Sequence, residues 1–473
     1  MRSKLRLLII SMLYFTTSFG QYNISVTING LQDKEIYLAY YFGDKNYVVD
    51  TLRLDKKGRG IFTGDNTLDE GIYLIVLPSR NYFDIIIDKD QHFALETDTS
   101  SDIRTMVRKL KIEGSEANNE FREYQVFMFD KTKEAHLLKV TSGDKTVLEK
   151  RRNKAKSDLE KVNKEILDKQ NEIISLGSDK LLSQMIKAFG DPEVPAHGST
   201  FDGQQVDSLF QYNYYKDNYF ENVDFSDKRL LKTPVYHTRL VRFFDQVVSP
   251  NPDSVISASE KLLNKTEGCP EIFQYTLQFV FNKFSQSKIM GHDKVTVFLA
   301  DNYYLSGKAT WADEEYLAKL KDRVDKMRPN VVGADAPQLD KAQTPDGMFY
   351  PLHSLNNKVI ALIFWEPECG HCKKEMPQLV EIFNKYHQKG FHVYAFYTQN
   401  NLTEWKTSIS KLGMENFVNV YDPFNFTSFR DSYDVYSTPT LYLLDEDFKI
   451  LAKRISIESL EEILENKLNS ISN

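Results

Sequence analysis

The sequence predicts a multidomain α+β protein with an antiparallel β domain at its N-terminus, a central α-helical module and an α/β domain at its C-terminus. Three patterns indicate these parts. Short runs of strand-like length fill residues 21–114, apolar side chains recur every three or four residues within 115–330, and strand-like runs alternate with helix-like runs in 331–473. A chain of 473 residues has room for about two to four domains, which agrees with this division.

An export signal is expected before the first domain. Basic residues open the chain, an apolar run follows over residues 7–15, and small residues lead up to Gly20. This order is typical of a signal peptide that is cleaved before Gln21. An uncleaved membrane anchor is the alternative, but the apolar run is shorter than the roughly 20 residues that span a bilayer. We therefore expect residues 1–20 to direct export to the periplasm or cell envelope.

Charge and cysteine content restrict the function classes. The formal net charge is −7 and no long basic block occurs, which argues against nucleic acid as a partner. The chain has three cysteines in total. Export permits disulfides, yet three cysteines cannot form a disulfide scaffold for a chain of this size. One cysteine pair is therefore reserved for a particular purpose.

The first domain is predicted to be a small sandwich or barrel. Residues 21–114 contain strand-like segments such as NISVTING, EIYLAYYF, GIYLIVL and FDIIID. Turn signals such as Asn29-Gly30 and Lys57-Gly58 separate them.

The central module is predicted to be helical. Residues 149–172 combine dense Lys and Glu with apolar side chains at helical spacing, which indicates an amphipathic helix. Its charged side is most simply a solvated face, because the clean heptads of a coiled-coil dimer are absent. A loop rich in Gly and Pro follows at residues 190–203. Cys269 is either a structural thiol or a third redox cysteine, and the structural interpretation is favoured because free cysteine is among the most buried residue types.

The third domain is predicted to contain a mixed sheet. VIALIF, HVYAFY and FVNVYD are strand-like and are separated by helices near residues 373–388 and 402–412. TLYLLD and KILAKRI follow as a hairpin, and a final helix is expected near residues 458–468. Strands that alternate with helices and then end in a hairpin are typical of an α/β unit with parallel and antiparallel pairs.

Two cysteines in C-x-x-C spacing, Cys369 and Cys372, follow the strand VIALIF at the expected start of a helix. The unsatisfied N–H groups and partial positive charge of a helix N-terminus favour a thiolate, and His371 can add to this effect. Glu366 and Glu368 oppose it, because nearby carboxylates raise the pKa of a thiol. The sequence leaves open which effect is larger.

Redox exchange is the interpretation that uses every feature of this pair. A structural zinc site needs four ligands, and no second pair at suitable spacing accompanies the C-x-x-C, so no metal site is predicted. Covalent haem requires a histidine at the position of Lys373. A permanent disulfide closing so short a loop would constrain the unfolded chain very little.

A second motif supports redox chemistry about 70 residues later, where STPT (437–440) precedes the strand TLYLLD. A proline at a strand start has no N–H to offer the ladder. The motif alone would indicate an ordinary trans proline, since cis bonds are about 5–6% of X–Pro bonds. At this distance after a C-x-x-C, however, it predicts a cis Pro439 whose neighbour Thr438 presents its backbone to a peptide substrate.

Three stretches resemble the thioredoxin superfamily, in particular its exported TlpA/ResA-like branch. They are FWEPECGHCKKEMPQL (364–379), STPTLYLLD (437–445) and the lead-in GADAPQLDKAQTPDGMFYPLHSL (333–355). The resemblance covers about 140 residues and implies a thioredoxin-like C-terminal domain. The β part resembles a domain often joined to such proteins, and residues 220–244 and 287–295 resemble an uncharacterised helical module of the same architecture.

The resemblance implies roles for individual residues. Cys369 would be the exposed nucleophile and Cys372 the resolving thiol, so no cofactor is expected beyond the redox-active disulfide that they form. Thr438 and Pro439 would bind the substrate backbone. Glu375 would accept the proton when Cys372 is deprotonated, and a surface helix carboxylate is the alternative.

The sequence departs from thioredoxin at two places. Gly370-His371 matches protein disulfide isomerase, and a histidine there stabilises the thiolate of the reduced form. We therefore expect a redox potential nearer about −180 mV than thioredoxin's roughly −270 mV. Ile363 stands where thioredoxin has a buried aspartate, so proton handling must fall to another group, with Glu375 the candidate.

An apolar rim is expected around the cysteines. Trp365 and Tyr436 lie next to the two motifs in the sequence and would offer aromatic surface to a peptide. Packing explains Trp365 equally well.

Two classes of function remain at this point. The first is an exported thiol-disulfide oxidoreductase acting on protein thiols and disulfides, with reduction favoured over isomerisation, an envelope or membrane redox partner, and a homodimer as an option. The second is an envelope binding or assembly module in which the first 330 residues carry the function. The intact cysteine pair and Thr-Pro favour the first class.

Overall fold

The computed structural model describes residues 21–195 and 209–470, so the expected signal peptide and part of the 190–203 loop lie outside the described residues. The chain forms two compact units. Of the described residues, the first unit comprises 21–195, 209–247 and 268–272, and the second comprises 248–267 and 273–470.

Two four-stranded sheets form the β domain of the first unit, in the orders β4-β1-β7-β8 and β3-β2-β5-β6. Alternate side chains of both sheets share one core, as the period-two pattern predicts. The pairs are antiparallel except β1 with β7, which is parallel and therefore needs a long crossover, here formed by β2–β6. The strands are β1 (Tyr22–Asn29), β2 (Glu35–Phe42), β3 (Lys45–Arg53), β4 (Arg59–Gly64), β5 (Gly71–Val76), β6 (Tyr82–Ile87), β7 (His92–Asp98) and β8 (Lys111–Glu113).

Helices make up the rest of the first unit. Ser115 caps α2 by accepting a hydrogen bond from the N–H of Asn118, and α2 packs along α3 as a helical hairpin. The predicted amphipathic helix is confirmed as α3, whose buried side chains include Ala155 and Val162. The bounds are α1 (Ile103–Lys109), α2 (Glu116–Gly143), α3 (Glu149–Ile174), α4 (Leu181–Phe189), α5 (Phe210–Asn218) and α6 (Pro234–Arg242), with a π-helical turn at Phe243–Val247.

The second unit begins with helices, so the helical stretch 115–330 is divided between the two units. The bounds are α7 (Pro252–Thr266), α8 (Pro270–Ser285), whose residues 270–272 belong to the first unit, α9 (His292–Leu299), a π-helical turn at Ala300–Tyr304, and α10 (Glu314–Met327). Within residues 21–195 and 209–470, no helix combines the length and the apolar character needed to cross a bilayer.

The predicted mixed sheet is confirmed in the second unit, in the order β11-β10-β9-β12-β13. Strands β9, β10 and β11 are parallel, whereas β12 runs antiparallel to β9 and β13 antiparallel to β12. The elements are β9 (Val359–Trp365), α11 (Gly370–Tyr386), β10 (Phe391–Tyr397), α12 (Leu402–Leu412), β11 (Val418–Tyr421), α13 (Phe429–Ser432), β12 (Thr440–Asp445), β13 (Ile450–Lys453) and α14 (Ile457–Ser470).

This sheet brings the two sequence motifs to the same edge. Strand β9 ends at Trp365, and Cys369 follows at the start of α11. Because β12 is antiparallel to β9, its first residue Thr440 pairs with Phe364 near the end of β9. The segment before β12 therefore lies beside the cysteines.

Candidate active site

Cys369 is the N-cap residue of α11. Its Sγ accepts a hydrogen bond from the N–H of Cys372 at 3.4 Å, as serine or aspartate does at other helix starts. Both are free thiols in the structure. Cys369 is half-buried, whereas Cys372 is only 1% exposed, so the two sulfurs differ sharply in access to a substrate.

The local electrostatics favour a thiolate at Cys369. Burial alone raises the pKa of this thiol, but hydrogen bonds with Cys372, with the Thr438 side chain and with the backbone of His371 outweigh burial. The pKa of Cys369 is therefore below its ordinary value.

The carboxylates that were expected to oppose the thiolate bind other groups. Glu366 accepts hydrogen bonds from Thr398 Oγ1 at 2.6 Å and Gln399 Nε2 at 2.9 Å. Glu368 pairs with Lys373 Nζ at 2.8 Å. The hydrogen bonds at the helix start determine the direction of the Cys369 pKa shift.

The pKa of the Cys372 thiol shifts in the opposite direction. Burial, followed by its interactions with Cys369, raises the pKa of the Cys372 thiol to about 12. At neutral pH this group is a protonated thiol and needs a proton acceptor before it can attack a sulfur.

The pKa difference predicts selective alkylation. Iodoacetamide reacts with thiolates, so reduced protein is expected to be modified at Cys369 at least about a thousandfold faster than at Cys372, from the thiolate fractions alone. The rate at Cys369 should rise with pH along a curve whose midpoint lies below the ordinary thiol pKa, because the pKa of Cys369 is lowered. Peptide mass spectrometry after short pulses across the pH range measures both rates. Similar labelling of the two cysteines would contradict the assignment.

The proline motif lies against Cys369. The Thr438–Pro439 peptide bond is cis, as predicted. The Cys369 thiol donates to the backbone oxygen of Thr438 at 3.1 Å. A cleft of about 510 Å³ extends from this contact and is lined by His371 and Glu375 of α11, by residues 436–441 and by residues 454–456.

Of the predicted site residues, His371, Glu375, Thr438 and Pro439 line this cleft. Gly370 and His371 form the exposed first turn of α11. Glu375 is half-buried on the same helix, and burial, with repulsion from Glu458, raises the pKa of its carboxyl group. A carboxyl group with a raised pKa can accept and release a proton more readily near neutral pH.

Trp365 is a correction to the predicted rim. Its side chain is 0% exposed and lies in the core with Val359, Ala361 and Ile363. Successive strand residues point to opposite faces, so these four alternate positions of β9 all point into the same core cluster. Trp365 therefore packs and does not contact a substrate, whereas Tyr436 is 70% exposed and lines the cleft.

Residues 454–456 were missed by the sequence analysis. Strands β12 and β13 form an antiparallel hairpin, so the segment after β13 returns to the segment before β12. The predicted hairpin of TLYLLD and KILAKRI already implies that these two segments lie side by side. Cys269, in contrast, is 6% exposed and its Sγ lies 3.7 Å from Glu271 Oε2, which agrees with the structural interpretation.

Known proteins resemble both ends of the chain. Residues 325–468 match the Redoxin family, and residues 22–121 match a domain of unknown function, DUF4369. A thiol-disulfide oxidoreductase ResA of Bacillus cereus is 31% identical over 160 residues, which are 33% of this chain and 82% of that protein.

Two solved structures are also similar. A domain of a possible thiol-disulfide isomerase from Cytophaga hutchinsonii is 35% identical, covers 30% of this chain and 97% of its own, and has a TM-score of 0.29. A thioredoxin-like protein from Bacteroides caccae is 20% identical, covers 59% of this chain and 99% of its own, and has a TM-score of 0.44. On the identity and coverage of its ResA relative, the chain belongs to the ResA-like family of thiol-disulfide oxidoreductases.

Proposed function

We propose that the chain is an exported oxidoreductase that exchanges disulfides with protein substrates through Cys369 and Cys372. The observation that carries the proposal is the contrast between the two thiols. Cys369 is accessible, has a lowered pKa and touches the cis-proline segment, whereas Cys372 is buried and has a raised pKa. An attacking thiol must reach its substrate as a thiolate, while a resolving thiol must wait until the first step is complete.

The reaction proceeds in two exchanges. The thiolate of Cys369 attacks one sulfur of the substrate disulfide, that S–S bond breaks, and the other substrate sulfur leaves as a thiolate. Cys372 then gives its proton to Glu375 and attacks Sγ of Cys369, which releases the second substrate sulfur and forms the Cys369–Cys372 disulfide. Two electrons pass from the cysteine pair to the substrate, and no cofactor takes part.

Substrate reduction is the favoured direction, with isomerisation second. Each chain has one C-x-x-C pair, and reduction consumes its two thiols at each turnover. A redox partner in the membrane or envelope must then return the disulfide to thiols. The N-terminal signal pattern supports a location in the periplasm or cell envelope, and a homodimer is compatible with either direction.

Insulin reduction by dithiothreitol tests the proposal. Wild-type protein is expected to accelerate precipitation of the insulin B chain, whereas Cys369→Ser should leave the rate at that of dithiothreitol alone. Cys269→Ser is the matched control, because it removes a buried cysteine outside the site and should retain the wild-type rate. Equal rates for wild type and Cys369→Ser would refute exchange at Cys369.

A further inference from the structure

The cleft beside the cis-proline segment has one positively charged wall. The Arg454 guanidinium carbon lies 4.6 Å from the centre of the Tyr436 ring, and both residues line the cleft. Arg454 Nη2 donates to Asp434 at two atoms, Oδ2 and the backbone oxygen, both at 2.7 Å. The wall therefore consists of Arg454 stacked on Tyr436, and Asp434 holds the guanidinium in place through hydrogen bonds.

A second arginine shares that carboxylate. Arg323 Nη1 of α10 lies 2.8 Å and 2.9 Å from the two carboxylate oxygens of Asp434, which is only 7% exposed. Two guanidinium groups thus face one carboxylate, so the group of three carries a net charge of +1. Asp434 satisfies part of the charge of Arg454 and leaves the rest directed toward the cleft.

The position of Arg454 is fixed relative to the proline motif. Its backbone N–H donates to the oxygen of Leu441 in β12 at 2.6 Å. Arg454 and Asp434 both have a left-handed backbone, with φ of 54° and 48°, which non-glycine residues adopt rarely. Among the described residues, the hydrogen bonds of the guanidinium use Nη2, so the N–H groups of Nε and Nη1 remain for a ligand.

We propose that Tyr436 and Arg454 form a subsite for an acidic side chain close to the reactive cysteine of a protein substrate. The inference rests on the proposed function and names a substrate class for it. A substrate sulfur on Cys369 places the neighbouring peptide along Thr438, and Tyr436 lies two residues away on the same segment. A Glu side chain of that peptide would then lie beside the exposed Tyr436 ring, and its carboxylate would accept hydrogen bonds from the N–H groups of Arg454 Nε and Nη1.

The other titratable groups that line the cleft lie on α11. His371 and Glu375 line the cleft from that helix, whereas Arg454 follows β13. A substrate carboxylate beside Arg454 is therefore favoured, and one beside Glu375 is disfavoured. The cleft has a charge polarity that can select the sequence around the substrate cysteine.

Peptides that differ at one position test the subsite in the full-length protein. Each peptide carries a cysteine joined by a disulfide to a chromogenic thiol, and the residue two positions before or after the cysteine is Glu, Gln or Lys. Reduced wild-type protein is expected to prefer Glu over Lys by about tenfold in kcat/KM for one of the two positions, with Gln between them. The preference should weaken as ionic strength rises from about 50 mM to about 500 mM, because salt screens exposed charges.

Three variants assign the preference to the wall. Arg454→Gln should reduce the Glu-to-Lys ratio to about twofold or less, whereas Lys406→Gln, which removes an exposed charge on α12, should keep it. Arg323→Gln should reduce the ratio partly, since Asp434 would then neutralise Arg454 more completely.

The outcomes separate the two proposals. Wild-type protein that reduces all peptides at equal rates, or an Arg454→Gln variant that keeps the full preference, would overturn the subsite and leave exchange chemistry intact. Wild-type protein that reduces none of the peptides and does not accelerate insulin reduction would overturn the proposed function, and the subsite with it. The peptide series on wild-type protein tests the subsite even if a variant folds poorly.

Discussion

Cys372→Ser is expected to stop turnover and to hold the substrate on Cys369 as a mixed disulfide. Cys372 is buried three residues after Cys369, and its backbone N–H already bonds the Cys369 sulfur. A serine at this position fills nearly the same space but cannot attack a disulfide. With stoichiometric reduced protein and no other thiol, release of the second substrate sulfur should fall by about a thousandfold or more.

Mass spectrometry under non-reducing conditions measures the trapped adduct. Cys372→Ser should carry one substrate sulfur group on Cys369, wild type should carry an intramolecular disulfide, and Cys369→Ser should carry neither. Cys269→Ser should behave like wild type, because Cys269 lies outside the site. If Cys372→Ser released substrate as fast as wild type, Cys372 would not be the resolving thiol.

The same experiment separates the role of Glu375 from that of the cysteines. Burial raises the pKa of both Cys372 and Glu375, so one group holds the proton that the reaction must remove and the other can receive it. Glu375→Gln should therefore form the mixed disulfide at the wild-type rate and resolve it about tenfold to a hundredfold more slowly. Equal slowing of both steps would indicate a structural role for the carboxylate.

The sequence predicted the position of the reactive pair well because each motif is local. A strand followed by C-x-x-C places Cys369 at a helix start, and a proline cannot lie inside a central strand, so Pro439 had to stand at the entry to β12. The mixed sheet then followed from the order of strands and helices. These features depend on a few consecutive residues and on backbone chemistry.

The parts that the sequence did not predict depend on contacts between distant segments. The parallel pairing of β1 with β7 joins residues nearly seventy positions apart, and the pattern of either strand alone is the same in an antiparallel pair. Arg323, Asp434 and Arg454 come from three separate segments, and each resembles an ordinary surface charge in the sequence. The direction of the Cys369 pKa shift likewise depended on where the Glu366 and Glu368 side chains lie.

Trp365 shows how a residue beside a catalytic motif can be assigned to the surface although its strand is buried on both faces. Its position next to the C-x-x-C suggested substrate contact, but the alternation of β9 directs it into the core. Proximity in sequence to a catalytic residue therefore says little about exposure, because every residue of this central strand is buried in one of two cores.

Trp365→Ala is accordingly expected to destabilise the protein strongly. The side chain is fully buried and contacts the ring of Tyr397, with 6.3 Å between ring centroids, so its removal leaves a large cavity at the end of β9. Truncation of a buried tryptophan costs about 3–5 kcal/mol in the free energy of unfolding. Urea unfolding of the full chain, followed by circular dichroism, measures this cost. Tyr436→Ala is the matched control, because an aromatic ring that is 70% exposed should change stability by less than about 0.5 kcal/mol.

Trp365→Phe separates packing from substrate contact. Phenylalanine keeps most of the apolar volume and removes the indole N–H, which has no hydrogen-bond partner among the described residues. Its stability cost should therefore be well below that of alanine, and its KM for a disulfide substrate should equal that of wild type, because a residue confined to the core makes no contact with the peptide. A raised KM for Trp365→Phe, combined with wild-type stability for Trp365→Ala, would place the indole at the substrate and contradict its assignment to the core.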